Sequence, residues 1–270
     1  AIFGADARLV GFDASALDPL DDSALRPRRF GGGGAFDVVG GETLGTTLHW
    51  QALRRIESDY LVTLTLMDAA GHVWAQTVSR PVGQAYATTA WKAGERLADY
   101  HALPIDPFTP SGEYSLRVSL GALAQKAGLP VSGGRAVAPD QVEVLRVRVA
   151  KPLHPALPAQ MQPYLAYLGG ALILRGVEIP EAVSPGDAAV VTLYWQARRA
   201  LDSAFAVTLR STDGESRTEV APPDSGWRAW EIFRTDHALL VPPDAPPGRL
   251  PLRLSVADAN GQPVSVQPGW

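Results

Sequence analysis

The chain of 270 residues contains no cysteine, which excludes disulfides and thiolate metal sites. That absence leaves the compartment open, because a domain with an adequate apolar core needs no disulfides to be secreted. No run reaches the roughly 18 apolar residues of a membrane-spanning helix. There is no basic tract, and 24 Lys and Arg stand against 28 Asp and Glu for a net charge of −4. Nucleic acid and anionic membrane surfaces are therefore poor partners on electrostatic grounds. Neither an initiator methionine nor a basic-then-apolar leader opens the chain at Ala1, so it reads as an excised or processed piece. No segment keeps a 3.6-residue apolar period over helical length, which leaves strands to build the fold.

Hydrophobic residues at 46% are enough for real cores, and 23 prolines with 26 glycines imply many turns. The dominant feature is an internal repeat. Leu48–Gly71 returns as Leu193–Gly214, with Trp50, Gln51, Ala52, Arg54, Val62, Thr63 and Leu64 matching Trp195, Gln196, Ala197, Arg199, Val207, Thr208 and Leu209. Each pair lies 145 positions apart. Downstream, Trp91, Glu95, His101, Leu103, Gly112 and Arg117 match Trp227, Glu231, His237, Leu239, Gly248 and Arg253 at an offset of 136. Upstream, Gly11 matches Gly176 at 165. A fixed internal offset points to duplicated structural units.

Thr43–Ala52 and Tyr60–Met67 alternate at a period of two, placing Leu44, Leu48 and Trp50 on one face and Tyr60, Val62 and Leu64 on another. This argues for half-buried antiparallel strands. Ala69-Ala70-Gly71 and Asp213-Gly214 supply hairpin turns. Tyr114, Leu116, Val118 and Leu120 alternate after a Pro/Gly turn, and Gln141–Val149 closes the first copy. With about seven strands per copy, the expected fold is all-β: two tandem antiparallel β-sandwiches, immunoglobulin-like in strand count. Residues 1–150 form the first module, with a loop insertion over 13–38. Residues 151–163, rich in proline, form a semi-rigid linker, and 164–270 form the second module. The insertion holds Gly31–Gly34, read as a mobile surface loop because a phosphate cradle needs a flanking strand, helix and Lys-Ser/Thr pair.

The pattern G-(D/E)-x-L-x-x-x-L-x-W-x-A, met as Gly41, Glu42, Leu44, Leu48, Trp50 and Ala52, is followed by three more. They are D-Y-x-V-x-x-x-L-x-D-x-x-G from Asp59 to Gly71, T-x-x-W-x-x-G-E-x-x-x-D from Thr88 to Asp99, and P-x-G-x-Y-x-L from Pro110 to Leu116. Together they resemble modules at the extracytoplasmic C-terminal ends of large bacterial membrane glycosyltransferases of the mannosyltransferase type. Similar modules occur in uncharacterised surface proteins of Chloroflexi-like bacteria. The resemblance implies a β-sandwich at the cell surface or envelope, with no cofactor and no catalytic residue, transferase chemistry residing in a membrane part. Implied partners are envelope glycan or other parts of the parent protein. The second copy departs where Gly94, Asp99 and Tyr114 become Trp230, Thr235 and Leu250.

Site candidates are few. The five histidines follow no ligand spacing, and no G-x-S-x-G elbow offers a serine nucleophile. A carboxylate pair at glycosidase separation is not readable from sequence. Asp13, Asp18, Asp21 and Asp22 lack EF-hand spacing and read as solvated loop carboxylates rather than calcium ligands. Trp50 and Trp195 read as core plugs of their modules. Trp74, Tyr86 and Trp91 are the candidates for a sugar-stacking platform, should their rings face solvent together.

Overall fold

Strands account for nearly all the regular structure in the computed structural model, which describes residues 1–17, 34–83, 86–122, 128–212, 214–223 and 226–268. They fall into two units, Ala1–Pro152 and Leu153–Trp270. In the first unit the strands run β1 (Ile2–Phe3), β2 (Ala7–Leu17), β3 (Phe36–Val39), β4 (Thr43–Ala52), β5 (Tyr60–Met67), β6 (Val73–Ser79), β7 (Arg96–Pro104), β8 (Gly112–Ala122), β9 (Val131–Ser132), β10 (Ala136–Ala138) and β11 (Gln141–Ala150). One sheet has the order β7-β4-β2-β1-β9, the other β10-β11-β8-β5-β6, with β3 lying parallel on β11. Period-two alternation decides which side chains fill the space between the sheets. Phe3, Leu48 and Trp50 meet Val62, Leu64, Leu116, Val118 and Val147, every one fully buried. The Phe3 ring meets the Trp50 indole edge-on at 5.4 Å.

The second unit runs β12 (Gln162–Leu168), β13 (Leu172–Glu178), β14 (Ala188–Ala197), β15 (Phe205–Arg210), β16 (Glu215–Val220), β17 (Ile232–Leu240), β18 (Arg253–Ala257) and β19 (Val266–Pro268). Its first sheet, β17-β14-β13-β12-β19, repeats the first sheet of the other unit. Trp195, Phe205, Trp227 and Phe233 form its aromatic centre, with Trp227 stacked on Phe233 at 4.5 Å.

The sequence offsets reappear as register. Leu44 pairs with Leu103 and Thr46 with His101; at the equivalent places Ala189 pairs with Leu239 and Val191 with His237. Val62 faces Leu120 as Val207 faces Val256. Even the irregularity is duplicated. In β2 the register shifts between Leu9, opposite Trp50, and Gly11, opposite His49. In β13 it shifts between Leu174, opposite Trp195, and Gly176, opposite Tyr194. An extra residue at such a point adds twist to the strand.

The second sheets are not equal. Among the described residues, that of unit 2 holds β16-β15-β18. Among the same residues no strand of unit 2 stands in the place of β11. The proline-rich stretch read as a linker is also partly structured. The Leu153 carbonyl accepts the Ile232 N–H at 3.0 Å, and Gln162 and Pro163 already belong to β12.

Candidate functional site

Three places have the makings of a site: the aromatic candidates, a buried polar chain, and the edge of unit 2 that no described strand covers. The aromatic platform does not assemble. Trp91 is 1% exposed, packed into the core of unit 1, and its indole N–H donates to the Tyr86 carbonyl at 3.3 Å. Trp91 therefore does not meet the condition of a solvent-facing ring, because the loop before β7 closes over the indole instead of presenting it. Tyr86 is half-buried and its hydroxyl donates to the Ala90 carbonyl at 3.0 Å. Burial, then the nearby Glu95 carboxyl, raises its pKa. Trp74 lies at the other end of β5. It stands beside the Leu66–Met67 end of that strand, whereas Thr88, just before Trp91, bonds the Tyr60 N–H at its start. A strand of that length separates the two places by about 20 Å. The Trp74 indole donates to Asp68 Oδ2 at 2.9 Å, which helps hold the Asp68 pKa below its ordinary value.

The polar chain starts at Trp50. A buried indole N–H needs an acceptor, and Asp99 Oδ2, fully buried on β7, provides it at 3.1 Å. The same oxygen accepts His101 Nε2–H at 2.6 Å, leaving Nδ1 to accept the Ser79 hydroxyl at 3.1 Å. Asp99 Oδ1 accepts the N–H of Val82, a residue held at φ 53°. The order carboxyl, imidazole, hydroxyl is that of a hydrolytic triad. Its imidazole and carboxyl, however, are 2% and 0% exposed. Unit 2 shows what the chain does. There the Trp195 indole donates to Thr235 Oγ1 at 2.8 Å, and that hydroxyl donates to His237 Nε2 at 2.7 Å. A hydroxyl thus replaces the carboxyl, and satisfying the indole N–H is the function common to both.

Among the described residues no three His, Cys, Asp or Glu gather as a metal site. Asp13 Oδ2 bonds His49 Nε2 at 2.7 Å, while Asp18, Asp21, Asp22 and Gly31–Gly33 lie outside the described residues. No described helix is long and apolar enough to cross a membrane.

The third place is a groove of about 560 Å³ in unit 2, lined by Tyr164, Leu168, Leu174, Leu193, Leu254 and Val266 among others. It opens between β18 and the opposing β12–β13 face. In unit 1 the equivalents of Leu252 and Leu254 are Leu116 and Val118, both fully buried between β5 and β11. Leu252 and Leu254 are only half-buried, because no strand among the described residues lies on the far side of β18 before the Ala257–Pro263 bridge. Tyr164 at 58% and Val266 at 53% exposure line the same opening. Sequence reasoning missed this groove, although the signal was present: the second copy has no match to Gln141–Val149. Compared with protein-family models and with curated proteins, the chain matches none.

Proposed function

We propose that the chain is a non-catalytic structural and interaction module of a larger bacterial envelope protein, working outside the cytoplasm. The observation that carries this reading is the open apolar edge of unit 2. Exposed apolar surface beside an unpaired strand marks a place of contact, and the groove is rimmed by Tyr164, Ile179 and Val266. The extracytoplasmic context rests on the resemblance carried by the motifs from Gly41 to Leu116. The polar chain through Asp99 and His101 is enclosed and is matched by an uncharged one in unit 2, which supports a scaffold rather than an enzyme. The test is a turnover panel of glycosides, esters and amides with the whole chain. No turnover is expected; hydrolysis abolished by Ser79→Ala would overturn the reading.

A further inference from the structure

The groove of unit 2 has a template for its occupant in unit 1. There β11 lies antiparallel to β8, with Val142 opposite Val118, Glu143 opposite Arg117 and Leu145 opposite Leu116. It also carries β3 in parallel, Val147 opposite Phe36 and Val149 opposite Val38. Its apolar side chains Val142, Leu145, Val147 and Val149 are each at most 3% exposed.

Each surface that β11 covers has a bare counterpart in unit 2. Leu252, Arg253 and Leu254 stand where Leu116, Arg117 and Val118 stand. The equivalents of Phe36–Val39 are Glu181, Ala182, Val183 and Ser184, which form no strand and are exposed apart from half-buried Val183. Their anchor is nevertheless intact. Gly41 N–H donates to the Ile105 carbonyl in unit 1, and Gly186 N–H donates to the Val241 carbonyl in unit 2. The upper end of the edge is likewise built: Leu129 N–H bonds the Leu120 carbonyl, and Val264 N–H bonds the Val256 carbonyl. One strand's place is therefore framed on both sides, with no described residue of the chain filling it.

We infer that this place receives a single extended polypeptide strand from outside residues 1–270, antiparallel to β18, with apolar residues in the β11 pattern and a carboxylate facing Arg253. This rests on the interaction-module reading and names the partner's chemistry. Backbone hydrogen bonds along β18 give affinity, and the groove selects the alternation, as in other strand-addition complexes. Charge narrows the choice. Arg253 is exposed and makes no ion pair among the described residues, and its counterpart Arg117 lies opposite Glu143 in the ladder, whose carboxyl there pairs with Arg135 and Arg146. Pro251 stands where Ser115 does and has no N–H to give. A second copy does not lend its own β11, because that strand is locked between β8, β10 and β3.

The probe is a capped synthetic peptide of the Gln141–Ala150 sequence, titrated into the whole chain by calorimetry and followed by thermal unfolding. Saturable 1:1 binding and a raised midpoint for unit 2 are expected. A peptide whose apolar residues are shifted by one place should not bind, since the shift turns them out of the groove. Arg253→Glu should weaken binding by about fivefold, and a lysine at the peptide's Glu143 position should restore it. Absence of binding, or binding indifferent to both the shift and the charge exchange, would overturn the inference. So would a concentration-dependent dimer of the chain abolished by Arg253→Glu, which would assign the edge to a second copy. None of these results alters the turnover panel, so a failed strand and a failed scaffold reading are told apart.

Discussion

Trp50 and Asp99, 49 residues apart in sequence, are joined by a 3.1 Å hydrogen bond inside the core of unit 1. Trp195 and Thr235 repeat the bond at 2.8 Å with a neutral acceptor. Because one acceptor is a carboxyl and the other a hydroxyl while the donor is constant, exchanging them separates satisfaction of the indole from any effect of the carboxyl.

Asp99→Thr is expected to keep unit 1 folded with a modest loss, since Thr235 already performs this task beside a histidine. Asp99→Leu leaves the indole N–H, the His101 Nε2–H and the Val82 N–H without their acceptor, and an orphaned buried donor costs about 1–3 kcal/mol. Chemical denaturation of the two variants checks the order; equal stability would remove the role assigned to Asp99.

Truncation of either tryptophan is more severe. Trp50→Ala and Trp195→Ala should each destabilise their own unit by about 3–5 kcal/mol, the usual cost of emptying a buried aromatic site. A two-transition thermal melt is the readout, with the unmutated unit's transition staying in place.

At the turn before the last long strand of each first sheet, Gly94 has φ 83° and its equivalent Trp230 has φ 65°. Both donate the same hydrogen bond, to Ala52 and Ala197 carbonyls. The left-handed conformation costs a side-chain-bearing residue about 1–2 kcal/mol. With its ring 51% exposed, Trp230 has little packing to set against that. Trp230→Gly should therefore stabilise unit 2 by about 1 kcal/mol, and Gly94→Ala should destabilise unit 1; urea midpoints report both.

His237 gives the pH dependence. Burial lowers its pKa below 6.5, outweighing the attraction of Asp236, and its Nδ1 has no partner among the described residues. The unfolded chain therefore binds this proton more readily than the folded one. The contribution to stability is present above the unfolded pKa and is lost as pH falls below about 6.5 towards the depressed folded value. His237→Gln should flatten that slope in unit 2 melts between pH 7 and 5.

The strands and their partners were legible because a duplicated sequence repeats its register: the pairs at offsets 145 and 136 become the same rungs of both ladders. Gly11 and Gly176 even mark the same bulge. What alternation does not reveal is which of two aromatics at a loop end turns inward. Trp91 closed the core because its N–H found the Tyr86 carbonyl, a contact set by loop conformation. The Asp99–His101 pair was hidden for a related reason. Both residues lie on β7 two positions apart, so they share a face, but only Trp50, diagonal to Asp99 on the neighbouring strand β4, makes that face a polar pocket in an apolar core.

That the described residues of unit 2 put three strands in its second sheet has a thermal consequence. With Leu252 and Leu254 half in water, that unit draws less from the hydrophobic effect than its sibling. On heating, it should therefore be the first to melt, and its amides the first to exchange with deuterium.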